Sequence, residues 1–229
     1  MELINFYNRD APYSGSQKSD IFAMPSLPSM PDALFALYAR FPMPDSRCPI
    51  PYSHEYLIFL RKAIQKIKAM LETLINYFVY TTKGHITKNQ LIKFLYLADL
   101  YAVKWTNKQL TELNWRYYHY SPWNEDIIVA LNQMNGKTIV QESVGETIFI
   151  RLGAEAGNID DLELPVGLKL MLDNIRREWA GSGQDKIQKL LKYVYSTAPM
   201  IEVKDSHQQE QVFRLNLETE RQKLINELG

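Results

Sequence analysis

Apolar residues recur at alternating steps of three and four between residues 55 and 80, which is the period of one helix face. The pattern predicts a long helix whose apolar stripe faces a bundle core, with a coiled-coil contact as the alternative. Gly84 is expected to end this element. The stripe consists of Leu57, Leu60, Ile64, Ile67, Leu71, Leu74 and Phe78.

A second apolar face follows the first helix and is preceded by a cap signal. Thr87 and Gln90 have the spacing of a capping box, in which each side chain bonds the other residue's backbone N–H. Thr106 and Gln109 repeat that spacing. The stretch therefore predicts two helices joined by a short connection, over residues 88–114.

The stretch 115–123 reads WRYYHYSPW, and five of its nine residues are Trp or Tyr. Aromatic residues favour a strand, so a short strand is expected over 115–120. Alternation along that strand puts Trp115, Tyr117 and His119 on one face, opposite Arg116, Tyr118 and Tyr120. Ser121 and Pro122 have the types preferred at the cap and first position of a helix, which predicts that the next helix starts there.

The rest of the chain predicts a β-hairpin and three more helices. KTIVQES and ETIFIRL alternate like paired strands, and an acidic loop follows them. Pro165 opens one helix, Ser182 with Asp185 caps the next, and LETERQKLINELG predicts a last amphipathic helix. The expected fold class is α+β and predominantly α-helical, a helical bundle with a short strand and a β-hairpin.

The N-terminal region differs in composition from the rest. Eight of the 11 prolines lie at or before Pro51, and proline both lacks an N–H and restricts φ. Residues 1–53 are therefore expected to form an irregular arm over the domain or over a partner, with a tail that orders only on binding as the alternative. The predicted division is this arm, a helical domain at 54–203 and a C-terminal helix at 204–229.

Charge and chemistry narrow the function classes. The net charge is zero, but residues 54–108 carry nine basic against three acidic residues, and residues 109–168 carry three against nine. The N-terminus lacks the pattern of a secretory signal, no apolar run is long enough to span a bilayer, and the single cysteine, Cys48, excludes an internal disulfide. These features predict a soluble cytoplasmic protein.

No catalytic or metal-binding constellation is found in the sequence. The four histidines have no His, Cys or Glu partner at metal-ligand spacing, and phosphate-binding and nucleophile motifs are missing. The expectation is no catalytic residue, no metal and no cofactor. The histidines are His54, His85, His119 and His207.

The helix KFLYLAD resembles a motif of the Panacea-domain family, which includes SocA-like antitoxins and GepA-like phage-associated proteins. Tyr120 to Trp123 resemble the family's Tyr-Gly-Pro element, with Ser121 where the family usually has glycine. Asp99 is expected to bond a backbone group or a tyrosine hydroxyl and so to fix the following turn. The motif and structural residues are Lys93, Tyr96, Asp99, Ser121 and Pro122.

The resemblance implies a non-enzymatic protein-binding module, most simply an antitoxin-like neutraliser of a cognate toxin in a prokaryotic or phage context. Tyr118, Tyr120 and Trp123 are the expected partner-binding residues, because Tyr and Trp are strong interface anchors. One alternative is a nucleic-acid-binding regulator that uses the helix pair 88–114. Another is an enzyme with an unrecognised carboxylate site. No membrane association is expected, and the oligomeric state stays open.

Overall fold

The computed structural model describes residues 54–181, 183–206 and 213–228. The Pro-rich arm with Cys48, the cap residue Ser182 and His207 lie outside the described residues. Within those ranges the chain forms seven α-helices and two three-stranded antiparallel sheets, which confirms a predominantly helical α+β fold. The elements are α1 His54–Thr81, β1 Ile86–Thr87, α2 Lys88–Thr106, β2 Arg116–Tyr118, β3 Ser121–Trp123, α3 Glu125–Met134, β4 Ile139–Val144, β5 Thr147–Leu152, a 3₁₀ turn Ile159–Asp161, α4 Val166–Trp179, α5 Gln184–Tyr195, α6 Ala198–Ser206, β6 Phe213–Arg214 and α7 Glu218–Leu228.

Helix α1 confirms the first periodic pattern. Leu71, Leu74 and Phe78 of the stripe are buried in the core, while the other four stripe residues lie outside the described side chains. The helix ends three residues before Gly84, whose φ of +68° is accessible to glycine at little energetic cost. The Gly84 N–H bonds Val79 O at 2.8 Å and so closes the end of the helix.

Helix α2 runs through the middle of the fold, and every residue from Gln90 to Leu100 is buried. It packs against helices α1, α4, α5 and α7. Thr87 caps it as predicted, because its hydroxyl accepts the Gln90 N–H at 3.2 Å. The Gln90 side chain does not reach back to Thr87 but donates to Gly181 O at 2.8 Å, which ties α2 to the segment after α4.

The second helix of the predicted pair 88–114 is absent, so that prediction was wrong. Helix α2 ends at Thr106, and Asn107 closes it in the left-handed region with φ of +59°. Residues 107–115 then follow an irregular path. Their backbone N–H groups at Leu110 and Thr111 bond the buried carboxylate of Asp99, so that contact takes the place of helical bonds.

The predicted helix start at Ser121 and Pro122 was also wrong. Both residues belong to β3, and α3 begins at Glu125 with Asn124 as its cap, whose Oδ1 accepts the Asp126 N–H at 2.8 Å. Strand β3 lies at the edge of its sheet. Proline is tolerated in an edge strand, because no further strand needs a hydrogen bond from its missing N–H. Pairing with β2 therefore decides the conformation of a dipeptide that also suits a helix start.

Both sheets are small and antiparallel. One has the strand order β1-β5-β4, and its β4–β5 hairpin was predicted from the sequence. The other has the order β3-β2-β6 and pairs Tyr118 with Ser121 and Tyr117 with Phe213. Strands β1 and β6 contain two residues each, which is too short for a periodic signal, and they were not predicted.

The C-terminal helix packs closely on the central one. In α7, the buried Glu220 accepts the Ala198 N–H at 2.8 Å and lies 3.5 Å from Lys104 Nζ of α2. Arg221 of the same helix donates to Lys104 O at 3.1 Å. The division of the chain at residues 53 and 203 stays a prediction. None of the described helices combines the length and apolarity that a bilayer crossing requires.

Candidate functional site

The motif residues of α2 point into the protein. Lys93, Tyr96 and Asp99 are at most 6% exposed, although each carries a polar group. Buried polar groups of this kind must find hydrogen-bond partners, and all three find them in segments distant along the chain. The hydrogen-bond partners of Lys93 and Asp99 lie in residues 109–121, directly before and within the aromatic stretch.

Asp99 accepts five hydrogen bonds from one segment. Its Oδ1 accepts the N–H groups of Leu110 and Thr111, both at 3.0 Å. Its Oδ2 accepts from Trp115 Nε1 at 2.8 Å, from Gln109 Nε2 at 3.2 Å and from the Thr111 hydroxyl. Burial raises the pKa of Asp99 above its ordinary value, and the hydrogen bonds from Thr111 and Trp115 oppose that rise.

Trp115 forms the fixed base of the aromatic stretch. Its indole is buried and meets the Tyr96 ring edge-on at 5.4 Å, and the Tyr96 hydroxyl bonds Thr197 Oγ1 at 2.9 Å. Its carbonyl accepts the Leu215 N–H at 2.8 Å, next to strand β6. The entry to β2 is therefore attached to α2, to the start of α6 and to the C-terminal segment.

Lys93 contacts a later residue of the aromatic stretch. Its Nζ donates to the hydroxyl of Ser121, the first residue of β3. Burial lowers the pKa of Lys93 to about 8. Among the described residues no carboxylate forms an ion pair with this amine.

The aromatic hairpin, defined as residues 116–123, joins β2 and β3 through a two-residue turn. Both turn residues have positive φ, +45° at His119 and +60° at Tyr120. A tight hairpin turn of this kind favours Asn-Gly, because side chains with a Cβ are strained in the left-handed region. The chain has His119 and Tyr120 at the two turn positions, where asparagine and glycine would give a more stable turn.

Exposed rings cover the hairpin. Tyr118 is 41% and Tyr120 50% exposed, whereas Trp123 is half-buried. The Tyr118 ring lies 5.5 Å from the Trp123 ring, and the Tyr120 ring lies 6.4 Å from that of Tyr117. The three predicted partner-binding residues thus occur on one hairpin. The expected alternation holds for Trp115 and Tyr118 and ends at the turn, where His119 is exposed.

Replacing His119 with asparagine and Tyr120 with glycine is expected to raise the free energy of unfolding by about 1 kcal/mol, because these residues adopt positive φ with less strain. Chemical denaturation of both single variants and the double variant measures the gain. Gly145→Ala is the matched control in the β4–β5 turn, where φ is +60° and a Cβ meets no atom within 4 Å, so it should lose stability. A loss in the His119/Tyr120 double variant would show that the turn is unstrained.

Asp99 was expected to bond a backbone group or a tyrosine hydroxyl, and it accepts the backbone N–H groups of Leu110 and Thr111. The signal was an acidic residue beside the apolar stripe of a helix, because a buried carboxylate needs donors. The side-chain donors were not identified, because residues 107–114 were assigned to a helix. The sequence does not say which segment supplies those donors.

A second surface was not predicted. A groove of about 660 Å³ lies between the end of α2 and α4, and Trp105 at its edge is 65% exposed. Leu170 on the α4 side is 55% exposed. This groove shares none of its lining residues with the aromatic hairpin.

The described histidines belong to different segments of the chain. His85 is near Arg151, with 3.3 Å between its Nδ1 and the Arg151 Nη1, and His119 lies in the hairpin turn. Over the described ranges no group of three or more His, Cys, Asp and Glu side chains is arranged to hold a metal ion. The buried groups of Lys93 and Asp99 are engaged in internal hydrogen bonds.

No curated protein and no solved structure shows a significant match to this sequence. A family model described as "Antitoxin SocA-like, Panacea domain" matches residues 91–227, which is more than half of the chain. The matched range begins within α2, contains the whole aromatic hairpin and ends within α7. The chain therefore belongs to the SocA-like antitoxin family and carries a Panacea domain.

Proposed function

We propose that this protein neutralises a cognate protein toxin by binding it through the aromatic hairpin. Membership of an antitoxin-like family supports a role of this general kind. The observation that carries the choice of surface is the exposure of Tyr118 and Tyr120 beside and within a turn with two positive φ angles. Backbone strain of this kind is concentrated at functional sites, where a residue's role outweighs its energetic cost.

The chemistry of the hairpin suits a protein partner. Tyr and Trp bury a large area on binding and lose few rotatable bonds, so they anchor interfaces at low entropic cost. The hairpin is also held from beneath through Trp115 and Ser121, which reduces the ordering that binding would otherwise require. A rigid aromatic protrusion is expected to insert into a recess on the partner.

The nucleic-acid alternative has less support. It depended on a helix pair over 88–114, and the second of those helices is absent. Next to Trp123, the exposed Glu125 and the half-exposed Asp126 open α3, and their charges would repel phosphates. The enzyme alternative gains no residue either, because the described buried acids, Asp99 and Glu220, and the Lys93 amine serve internal contacts. A cytoplasmic location and a toxin encoded by an adjacent gene are parts of the same proposal.

Co-expression with the product of the adjacent gene tests this function. We expect growth arrest by that product alone and rescue by the full chain. Tyr118→Ala combined with Tyr120→Ala should weaken the complex at least about tenfold, because two anchors are truncated. Trp105→Ala is the matched control, since it removes an exposed aromatic ring that lies in the groove and not in the hairpin, and it should keep full rescue.

Two results would contradict the proposal. A harmless neighbouring product, or one that stays toxic beside the wild-type chain, would remove its basis. Loss of rescue in the Trp105 variant, together with full rescue by the Tyr118/Tyr120 variant, would place the binding surface at the groove between α2 and α4. Purified variants should first show the wild-type thermal midpoint.

A further inference from the structure

The aromatic hairpin is attached to one helix at two points. Trp115, directly before the hairpin, donates through Nε1 to Asp99, and Lys93 Nζ donates to Ser121, the first residue after the turn. Positions 93 and 99 lie roughly 9 Å apart along the axis of α2, at 1.5 Å per residue. The hairpin is thus held at two points by side chains of opposite charge.

The two attachments differ in strength. The Asp99 carboxylate accepts five hydrogen bonds, two of them from backbone N–H groups, so the entry is fixed redundantly. Within the described residues the Lys93 amine has a single hydrogen-bond partner, the Ser121 hydroxyl. Without that contact β3 stays paired with β2, and Asn124 still donates to Asn114 O. The turn at His119 and Tyr120 then loses its side-chain contact with α2, so increased motion is expected there.

We propose that Lys93 is a positioning residue, which acts through Ser121 to hold the start of β3 and the adjoining turn at His119 and Tyr120 in one ordered conformation. This inference deepens the proposed function, because an ordered hairpin is what a partner would bind. Hairpin order can nevertheless be measured on this protein alone, without a toxin.

A purely structural role explains Lys93 poorly. A buried cation without a carboxylate partner loses its hydration, and an apolar side chain of similar length fills the same space without that penalty. If packing alone mattered, methionine would serve better at position 93. The amine is therefore expected to contribute something other than global stability, and its only described partner is in the hairpin.

Hydrogen exchange of the full chain tests the proposal through the amides of residues 116–123. In Lys93→Met these amides should exchange about tenfold faster, which is the effect of losing one hydrogen bond to a charged group, with an unchanged or higher thermal midpoint. Ser121→Ala should give the same acceleration. The double variant should exchange no faster than either single variant, because both remove one contact.

Tyr96→Phe is the matched control, since it removes another buried hydrogen bond of α2, the one to Thr197, and keeps the ring against Trp115. It should lower the thermal midpoint and leave local exchange of the hairpin unchanged. The proposal would be overturned if the amides of residues 116–123 exchanged at wild-type rates in the Lys93 variant. It would also be overturned if their exchange accelerated only as much as the loss of global stability accounts for.

The failure of this inference and that of the proposed function are distinguishable. Faster hairpin exchange in Lys93→Met supports the positioning role whether or not a toxin is neutralised. If the Tyr118/Tyr120 variant neutralises fully, the hairpin is not the binding surface, and the positioning result still stands. Slow exchange in the Lys93 variant overturns the positioning role alone.

Discussion

Replacing Asp99 with alanine should lower the free energy of unfolding by about 3–5 kcal/mol, the range found when one partner of a buried charged contact is removed. The carboxylate is fully buried and satisfies two backbone N–H groups, an indole N–H, an amide and a hydroxyl. After truncation these donors stay in the interior without their acceptor, and each unsatisfied donor is costly. Urea denaturation measures the change.

The expected loss is specific to this carboxylate. Asp185 is exposed in the first turn of α5, so Asp185→Ala is a control that should change stability only slightly. The near-ultraviolet circular-dichroism signal of Trp115 should also weaken in the Asp99 variant, because the Trp115 indole loses a 2.8 Å hydrogen bond. An Asp99 variant as stable as wild type would show that residues 107–115 hold their path without the carboxylate.

The second large effect has the opposite sign. Lys93→Met should raise the free energy of unfolding at pH 7 by about 1–3 kcal/mol, because the folded wild-type protein must bury a charged amine there. Burial lowers the pKa of Lys93 from its ordinary 10.5 to about 8. Between those two values the unfolded chain binds more protons than the folded one, so wild-type stability rises with pH in that interval.

The advantage of the methionine variant should therefore shrink with increasing pH. It is largest below pH 8 and fades as the pH approaches the ordinary lysine value, since the folded amine is then already neutral. Urea denaturation of both proteins at about pH 7, 8.5 and 10 measures the difference between their free energies of unfolding. A difference that stays constant with pH, or a less stable variant at pH 7, would contradict the burial of an unpaired amine.

Local patterns predicted the parts of the fold that depend on neighbouring residues. The three-and-four spacing in α1, the Thr87 cap and the β4–β5 hairpin all follow from side chains a few positions apart. The path of 107–115 does not, because Thr106 and Gln109 match a helix cap locally while Asp99 requires the following N–H groups. The hydrogen bonds to Asp99, a tertiary contact, therefore outweigh the local cap spacing of Thr106 and Gln109.

Long-range pairing explains the other errors. Ser121 and Pro122 suit both a helix start and an edge strand, and their register with Tyr117 and Tyr118 decides between them. Strand β6 reaches β2 from about 100 residues further along the chain, and no local pattern specifies such a contact. Helix α6 was not predicted, although its Pro199 lies in the first helical turn, where proline is tolerated.

The residue types of the candidate site could be predicted from the sequence, but the exposure and contacts of its side chains could not. The aromatic stretch identified Tyr118, Tyr120 and Trp123 as surface candidates from residue type alone. Their exposure depends on the positive φ angles of the turn, which the sequence HY does not suggest. The motif residues Lys93 and Asp99 were recognised by resemblance, whereas their contacts with Ser121 and Trp115 required the fold.

Hydrogen exchange of the full chain with and without the proposed toxin tests the central claim most directly. If the anchored aromatic hairpin is the binding surface, the amides of residues 116–123 should become strongly protected in the complex. The groove beside Trp105 should then exchange as in the free protein. Protection elsewhere, with the hairpin exchanging at its free rate in a tight complex, would contradict the claim.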